Sequence, residues 1–217
     1  KTTSRGTHTP GRRTTGMRLI AHRGFAGVHP ENTVPALRSA ARCADAVEVD
    51  VRRCGSGDIV VVHDETVDRV TDGAGRVAEM SADGLAGLNV LGSGAGIPTL
   101  DAVFEALPPE TDVNVELKER GTAADALAVA REFDNEVWVS SFDATALADA
   151  RSADPGVDRA YLFDGSVRRS LATARDLDCA AVHPAWPLCL RSRVVGRAHR
   201  AGMAVNAWTL ALGPAAR

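Results

Sequence analysis

Residues 18–50 read "RLIAHRGFAGVHPENTVPALRSAARCADAVEVD". Two short apolar runs, "RLIAH" (18–22) and "AVEVD" (46–50), flank a turn and an amphipathic stretch. In that stretch Val34, Leu37, Ala41 and Ala44 fall on one helical face, with Thr33 as the N-cap. Strand, helix, strand implies a parallel pair with the helix as crossover. A doubly wound sheet would want a Gly-rich G-x-G-x-x-G turn after its first strand, and "AHRGFAG" does not supply one. The first strand ends instead in a base, His22, and a permanent cation, Arg23.

The same alternation continues along the chain. Further strands are expected at "VNVEL" (113–117), "VWVSS" (137–141), "RAYLF" (159–163), "AAVHP" (180–184) and "AVNAW" (204–208). "TLDAVFEAL" and "TAADALAVAREF" read as helices capped by Thr99 and Thr122. Repeated strand–helix units predict an α/β fold, a TIM (β/α) barrel. One run breaks the rhythm. "DIVVVHD" (58–64) follows "AVEVDVRR" after only "CGSG", too short for a parallel crossover, so the two must form an antiparallel hairpin. Two-residue turns would set His63 opposite Glu48 or Asp50; a three-residue loop would set it opposite Val49, facing away. The Gly- and Asp-rich stretch that follows makes residues 52–97 a small insertion after strand 2.

Composition bounds the function. The chain has 217 residues, 45% of them hydrophobic, and a net charge of -3, which argues against a nucleic-acid partner. No apolar stretch is long enough to span a bilayer. Residues 1–16 are polar and basic without an apolar h-region, which predicts a disordered tail rather than a secretory signal; residues 17–217 would form the domain, in the cytoplasm. The four cysteines (Cys43, Cys54, Cys179, Cys189) show no CxxC spacing and read as reduced thiols. Of 25 basic residues only Lys1 and Lys118 are lysines, so Lys118 marks a position where a guanidinium would not serve.

In "AVEVDV" the valines share one face and Glu48 and Asp50 the other; "VNVELK" repeats the design with Asn114, Glu116 and Lys118. Carboxylates from neighbouring strands either pair with rim arginines or make an oxygen-ligand site for a hard cation, Mg²⁺ or Ca²⁺. Either histidine alone, His22 or His63, would read as structural; two beside a carboxylate cluster offer a base and an acid. Arg23 can clamp an oxyanion by its fork, and Lys118 adds a compact charge. Against three carboxylates, one divalent ion with Arg23 and Lys118 leaves a single net positive charge, suited to a phosphodiester.

These residues resemble the glycerophosphodiester phosphodiesterase family, from Met17 to about Thr209. The resemblance rests on "AHRG", "PENT", "VEVDV", "VVHDETVDRVTDGAGRV", "IPTLDAVFEAL", "VELK", "SSF" and "AWT", in that order. It implies a TIM barrel and hydrolysis of a small-molecule phosphodiester to glycerol 3-phosphate and an alcohol. His22 and His63 would be the acid/base pair, with Glu48, Asp50 and Glu116 on the divalent cation. Arg23 and Lys118 would hold the phosphate, and Trp208 would pack on the glycerol. In "PENT", Asn32 and Thr33 would fix the helix start; Glu31 is left without a role, and Asp64 either orients His63 or caps the insertion. Two departures stand out. Leu210 and Ala211 follow "WT" where the family has valine and asparagine, and the family's further helix, eighth strand and closing helix are missing. The expectation is therefore a barrel truncated before its eighth strand, with an open edge through which copies could self-associate. The alternatives to an enzyme are a non-catalytic barrel fragment and a module that binds phospholipid head groups.

Overall fold

The computed structural model describes residues 17–210. Seven parallel strands run in the order β1 (Ile20–His22), β2 (Ala46–Arg53), β4 (Asp112–Leu117), β5 (Val137–Ser141), β6 (Asp158–Phe163), β7 (Ala181–Pro184) and β8 (Ala204–Val205). A short strand β3 (Ile59–Val61) pairs antiparallel to β2, as the four-residue connection required. The helices are α1 (Val34–Ala40), α2 (Ala82–Ala86), α3 (Leu100–Ala106), α4 (Ala123–Ala130), α5 (Ala144–Ala153), α6 (Val167–Asp176), α7 (Trp186–Arg191) and α8 (Val194–Arg200). This is the (β/α) barrel order, and β1 and β8 do not pair among the described residues. The expectations for residues 1–16 and for barrel closure after residue 210 lie outside them.

The valine faces decide the register. Val47, Val49 and Val51 of β2, Val113 and Val115 of β4 and Val139 of β5 are buried with Leu37, Leu100, Val103, Phe104, Leu127 and Leu147 of the helices. Each such side chain contributes about 1.5–3 kcal/mol on burial. A one-residue slip would send the whole set inward and push Glu48 and Asp50 against the helices. The sheet's apolar outer face thus holds its polar residues inside. Along the β2–β4–β5 register Glu48 lies beside Asn114, and Asp50 beside Glu116, which neighbours Ser140.

Several local expectations need correction. The last run, 204–208, supplies only two strand residues, with Trp208 returning as an isolated bridge to Ala185. Thr33 caps α1 through its hydroxyl, but Thr99 and Thr122 sit at cap positions without a side-chain cap bond. The Thr122 hydroxyl donates instead to the Glu119 carbonyl. Between β2 and α3 the chain builds a second, smaller core from Cys54, Val60, Val62, Val67, Val70, Val77, Leu85, Val90 and Ile97. Gly96 closes it, so tightly that a Cβ there would lie 2.0 Å from the Ala86 carbonyl oxygen.

Candidate active site

β1 and β2 pair with His22 beside Glu48, so the end of the first strand meets the carboxylates directly. The turn after His22 is what allows it. Arg23, Gly24 and Phe25 all take positive φ, at 53°, 73° and 64°. Gly24 lies against the start of α1, where a Cβ would come within 2.9 Å of the Ala36 backbone. This turn aims the Arg23 amide at Glu48, donating to Oε2 at 2.9 Å. The Arg23 side chain sets Nε 2.9 Å from Asp50 Oδ2, and Nη1 bonds Glu31 Oε1 at 3.0 Å. His22 Nε2 stands 3.9 Å from Glu48 Oε2. Burial, then the Arg23 charge, bring its pKa down to about 4.

Glu48, Asp50 and Glu116 are all buried, and each offers an oxygen lying within 4.8 Å of the others. Lys118 Nζ bonds Glu116 Oε1 at 2.6 Å and lies 3.5 Å from Asp50 Oδ1. Both cations expected to grip a phosphate thus also neutralise carboxylates. Compensation is incomplete, because Glu48 Oε1 and Asp50 Oδ1 are buried without a hydrogen-bond partner. Burial, then the charges of Asp50 and Glu116, push Glu48 well above the usual carboxylate range. Burial and Asp50 push Glu116 upward as well. Orphaned oxygens on converging carboxylates fit a hard divalent cation.

The expected hairpin forms, in the register whose alternation would turn His63 away from the carboxylates. The register pairs Val51 with Val61 and Arg53 with Ile59, which is the three-residue loop. Strict alternation would then turn His63 outward. The strand stops at Val61, however, and residues 63–65 form a bend, so the alternation does not reach the imidazole. His63 lines a small cleft with Glu31 and Asn32, the residues that bond Arg23 and Asp50. Its Nδ1 is 2.5 Å from Asp64 Oδ1.

Trp208 is further along the sheet. Its indole N–H donates to the His183 carbonyl at 2.8 Å, and its ring meets Phe142 edge-on at 5.3 Å. Phe142 lies 6.0 Å from Lys118 Nζ, so Lys118, Phe142 and Trp208 form one continuous wall.

Sequence reasoning missed four residues here. Asn32 is buried, has φ 57°, and donates its amide to Asp50 Oδ2 at 2.9 Å. Its reading as a helix-start residue explained the backbone and hid the side chain. Glu31 joins Arg23 to Arg69, Phe142 was quoted only within "SSF", and Arg69 had no assigned part. Only a contact across 38 residues connects Glu31 to Arg69, and no local pattern signals it.

A polar, carboxylate-lined centre at the strand ends of a parallel barrel is where enzymes of this fold place their active sites, and its charges suit a reaction in which charge stabilisation dominates. The Glycerophosphoryl diester phosphodiesterase family matches residues 22–212. A glycerophosphodiester phosphodiesterase of Caldanaerobacter subterraneus is 31% identical over 207 residues, covering 88% of this chain and 85% of its own. A phosphodiesterase of Oleispira antarctica, solved with the product sn-glycerol-3-phosphate, superposes with a TM-score of 0.78 at 29% identity, covering 89% of this chain and 85% of that one. The Thermotoga maritima glycerophosphodiester phosphodiesterase gives 0.77 at 26%, covering 91% and 88%. The chain belongs to the glycerophosphoryl diester phosphodiesterase family, and is by that membership an enzyme of glycerophosphodiester hydrolysis. Among the described residues no helix is long and apolar enough to cross a membrane.

Proposed function

We propose that the chain hydrolyses glycerophosphodiesters to glycerol 3-phosphate and an alcohol, with Mg²⁺ or Ca²⁺ held by Glu48, Asp50 and Glu116 and with His22 and His63 as the acid/base pair. The observation that carries this reading is the convergence of three buried carboxylates, two of them with an unpartnered oxygen. When bound, a divalent ion supplies Lewis-acid stabilisation of the phosphoryl oxygens. The remaining work falls to the chain's own side chains. Arg23, anchored by Glu31 and Asp50, presents its guanidinium to the phosphodiester, and Lys118 adds a second charge from the end of β4. Trp208, backed by Phe142, supplies an apolar face for the glycerol carbons.

Proton transfer is divided between the imidazoles. His22, its pKa lowered by partial burial to about 4, is neutral at pH 7 and takes a proton from the attacking water. His63, with Nδ1 tied to Asp64, keeps Nε2 for delivery to the departing alkoxide. One P–O bond forms to the water oxygen as the P–O bond to the alcohol breaks; the water's proton goes to His22 and the alkoxide takes one from His63, leaving glycerol 3-phosphate and the free alcohol.

Purified protein incubated with glycerophosphocholine and Mg²⁺ or Ca²⁺, with glycerol 3-phosphate release coupled to its dehydrogenase, tests this. Turnover is expected to stop on EDTA treatment and to fall about 10²–10⁴-fold in His22→Ala and in His63→Ala. Undiminished turnover in EDTA, or in both histidine variants, would overturn it. Saturable binding without turnover would make the chain a head-group binding module instead.

A further inference from the structure

Arg69 falls within "VVHDETVDRVTDGAGRV" but no role has been given to it; it lies on the stretch that folds around the second core. Its guanidinium nevertheless bridges two carboxylates that each hold a proposed active-site group. Nε is 2.5 Å from Asp64 Oδ2, while Nη2 and Nη1 reach Glu31 Oε1 and Oε2 at 2.7 and 3.1 Å. Asp64 continues to His63 Nδ1 at 2.5 Å, and Glu31 Oε1 continues to Arg23 Nη1 at 3.0 Å. The result is an unbroken chain, His63–Asp64–Arg69–Glu31–Arg23, ending on Asp50. The bonds within it are two-pronged at Glu31, and such forks fix direction as well as distance. Burial raises Asp64, but hydrogen bonds from Arg69 and His63 outweigh it and hold the carboxyl at about 2. Glu31 is held low in the same way, against its own burial, by Arg69 and Arg23.

We propose that Arg69 is a positioning residue for the reaction, orienting His63 through Asp64 and Arg23 through Glu31, so that one side chain sets the proton donor and the phosphate clamp against each other. This rests on the roles given above to His63 and Arg23. An ordinary surface ion pair would contribute little, since Arg69 is half exposed. A positioning role differs in kind, because small displacements of reacting groups cost large factors in rate.

The two arms can be opened separately. In steady-state assays with glycerophosphocholine at saturating Mg²⁺, Asp64→Asn is expected to lower kcat about 10- to 100-fold with KM within about threefold. Glu31→Gln is expected to raise KM by a similar factor with kcat nearly kept, and Arg69→Met to do both. Arg69→Lys should restore one arm only, because an ammonium lacks the fork. In a His63→Ala background, Arg69→Met should change kcat less than threefold further. A readout independent of turnover is the slowly exchanging imidazole Nδ1–H proton of His63 in NMR spectra, expected in the wild type and absent in Arg69→Met. If His22→Ala and His63→Ala keep wild-type turnover, the assigned histidine roles fail. If those variants are inactive but Arg69→Met keeps both constants within threefold, or keeps the Nδ1–H signal, the positioning role alone fails. Losses in all variants that simply follow a fall in melting temperature would also overturn it.

Discussion

Asn32 shows how much a single side chain decides at this site. Its amide supplies a hydrogen bond to Asp50 Oδ2, and Asp50 is fully buried among like charges. Groups that orient a metal-ligating carboxylate govern affinity nearly as strongly as the ligand itself. Asn32→Gly keeps the left-handed backbone and removes only the amide. It is expected to weaken Mg²⁺ or Ca²⁺ binding about 10- to 100-fold in calorimetric titration while leaving the circular dichroism spectrum unchanged. Unaltered affinity would remove Asn32 from the site. The carboxylates themselves were legible in the sequence, because a period of two in "AVEVDV" and "VNVEL" puts Glu48, Asp50 and Glu116 opposite a valine face. Asn32 was not, because one residue served two purposes and the backbone purpose alone satisfied the local pattern. Arg69 and Glu31 were hidden for a different reason. Their bond joins two surface loops, and nothing periodic connects residues so far apart.

At the scale of elements, the β1–α1 turn positions most of the site. Gly24 is required twice over, by its positive φ and by its approach to Ala36. Gly24→Ala is expected to destabilise the protein by about 1–3 kcal/mol and to reduce turnover, since the Arg23 amide and guanidinium both depend on this turn. Denaturant unfolding followed by tryptophan fluorescence measures the first effect; a wild-type midpoint would contradict it. The hairpin illustrates what alternation can and cannot decide. Antiparallel pairing of β2 and β3 followed from the short "CGSG" connection alone. The register came out as the one that should turn His63 away, yet the strand ends two residues earlier at Val61 and the imidazole lines a cleft with Glu31 and Asn32. Strand ends are set by tertiary packing, here by Val60, Val62 and Val67 entering the second core. No pattern within "DIVVVHD" marks that end.

The whole molecule is a sheet with an apolar outside and a polar inside, and this makes its stability sensitive to acid. His183 is buried on β7, and the Asn206 amide donates to its Nε2 at 2.9 Å. Burial takes its pKa down to about 3. The unfolded chain binds a proton near pH 6.5 that the folded chain refuses, so stability is fully present above that pH and declines as pH falls toward about 3. The slope is at most about 1.4 kcal/mol per pH unit for one such group. His183→Asn is expected to flatten the dependence of unfolding free energy on pH between about 6 and 4, and an unchanged slope would refute this. The strand–helix order and the site's place at the strand ends were readable from the sequence, since both follow from repeated local patterns. The second core was not, because its apolar residues are scattered among glycines and aspartates and share no period.

The convergence of Glu48, Asp50 and Glu116 on one divalent ion is tested most directly by calorimetric titration of EDTA-stripped protein with Mg²⁺ and with Ca²⁺. One ion per chain is expected in the wild type, with heat of binding lost in Asp50→Asn and in Glu116→Gln. Absence of binding, or binding that survives both substitutions, would contradict it.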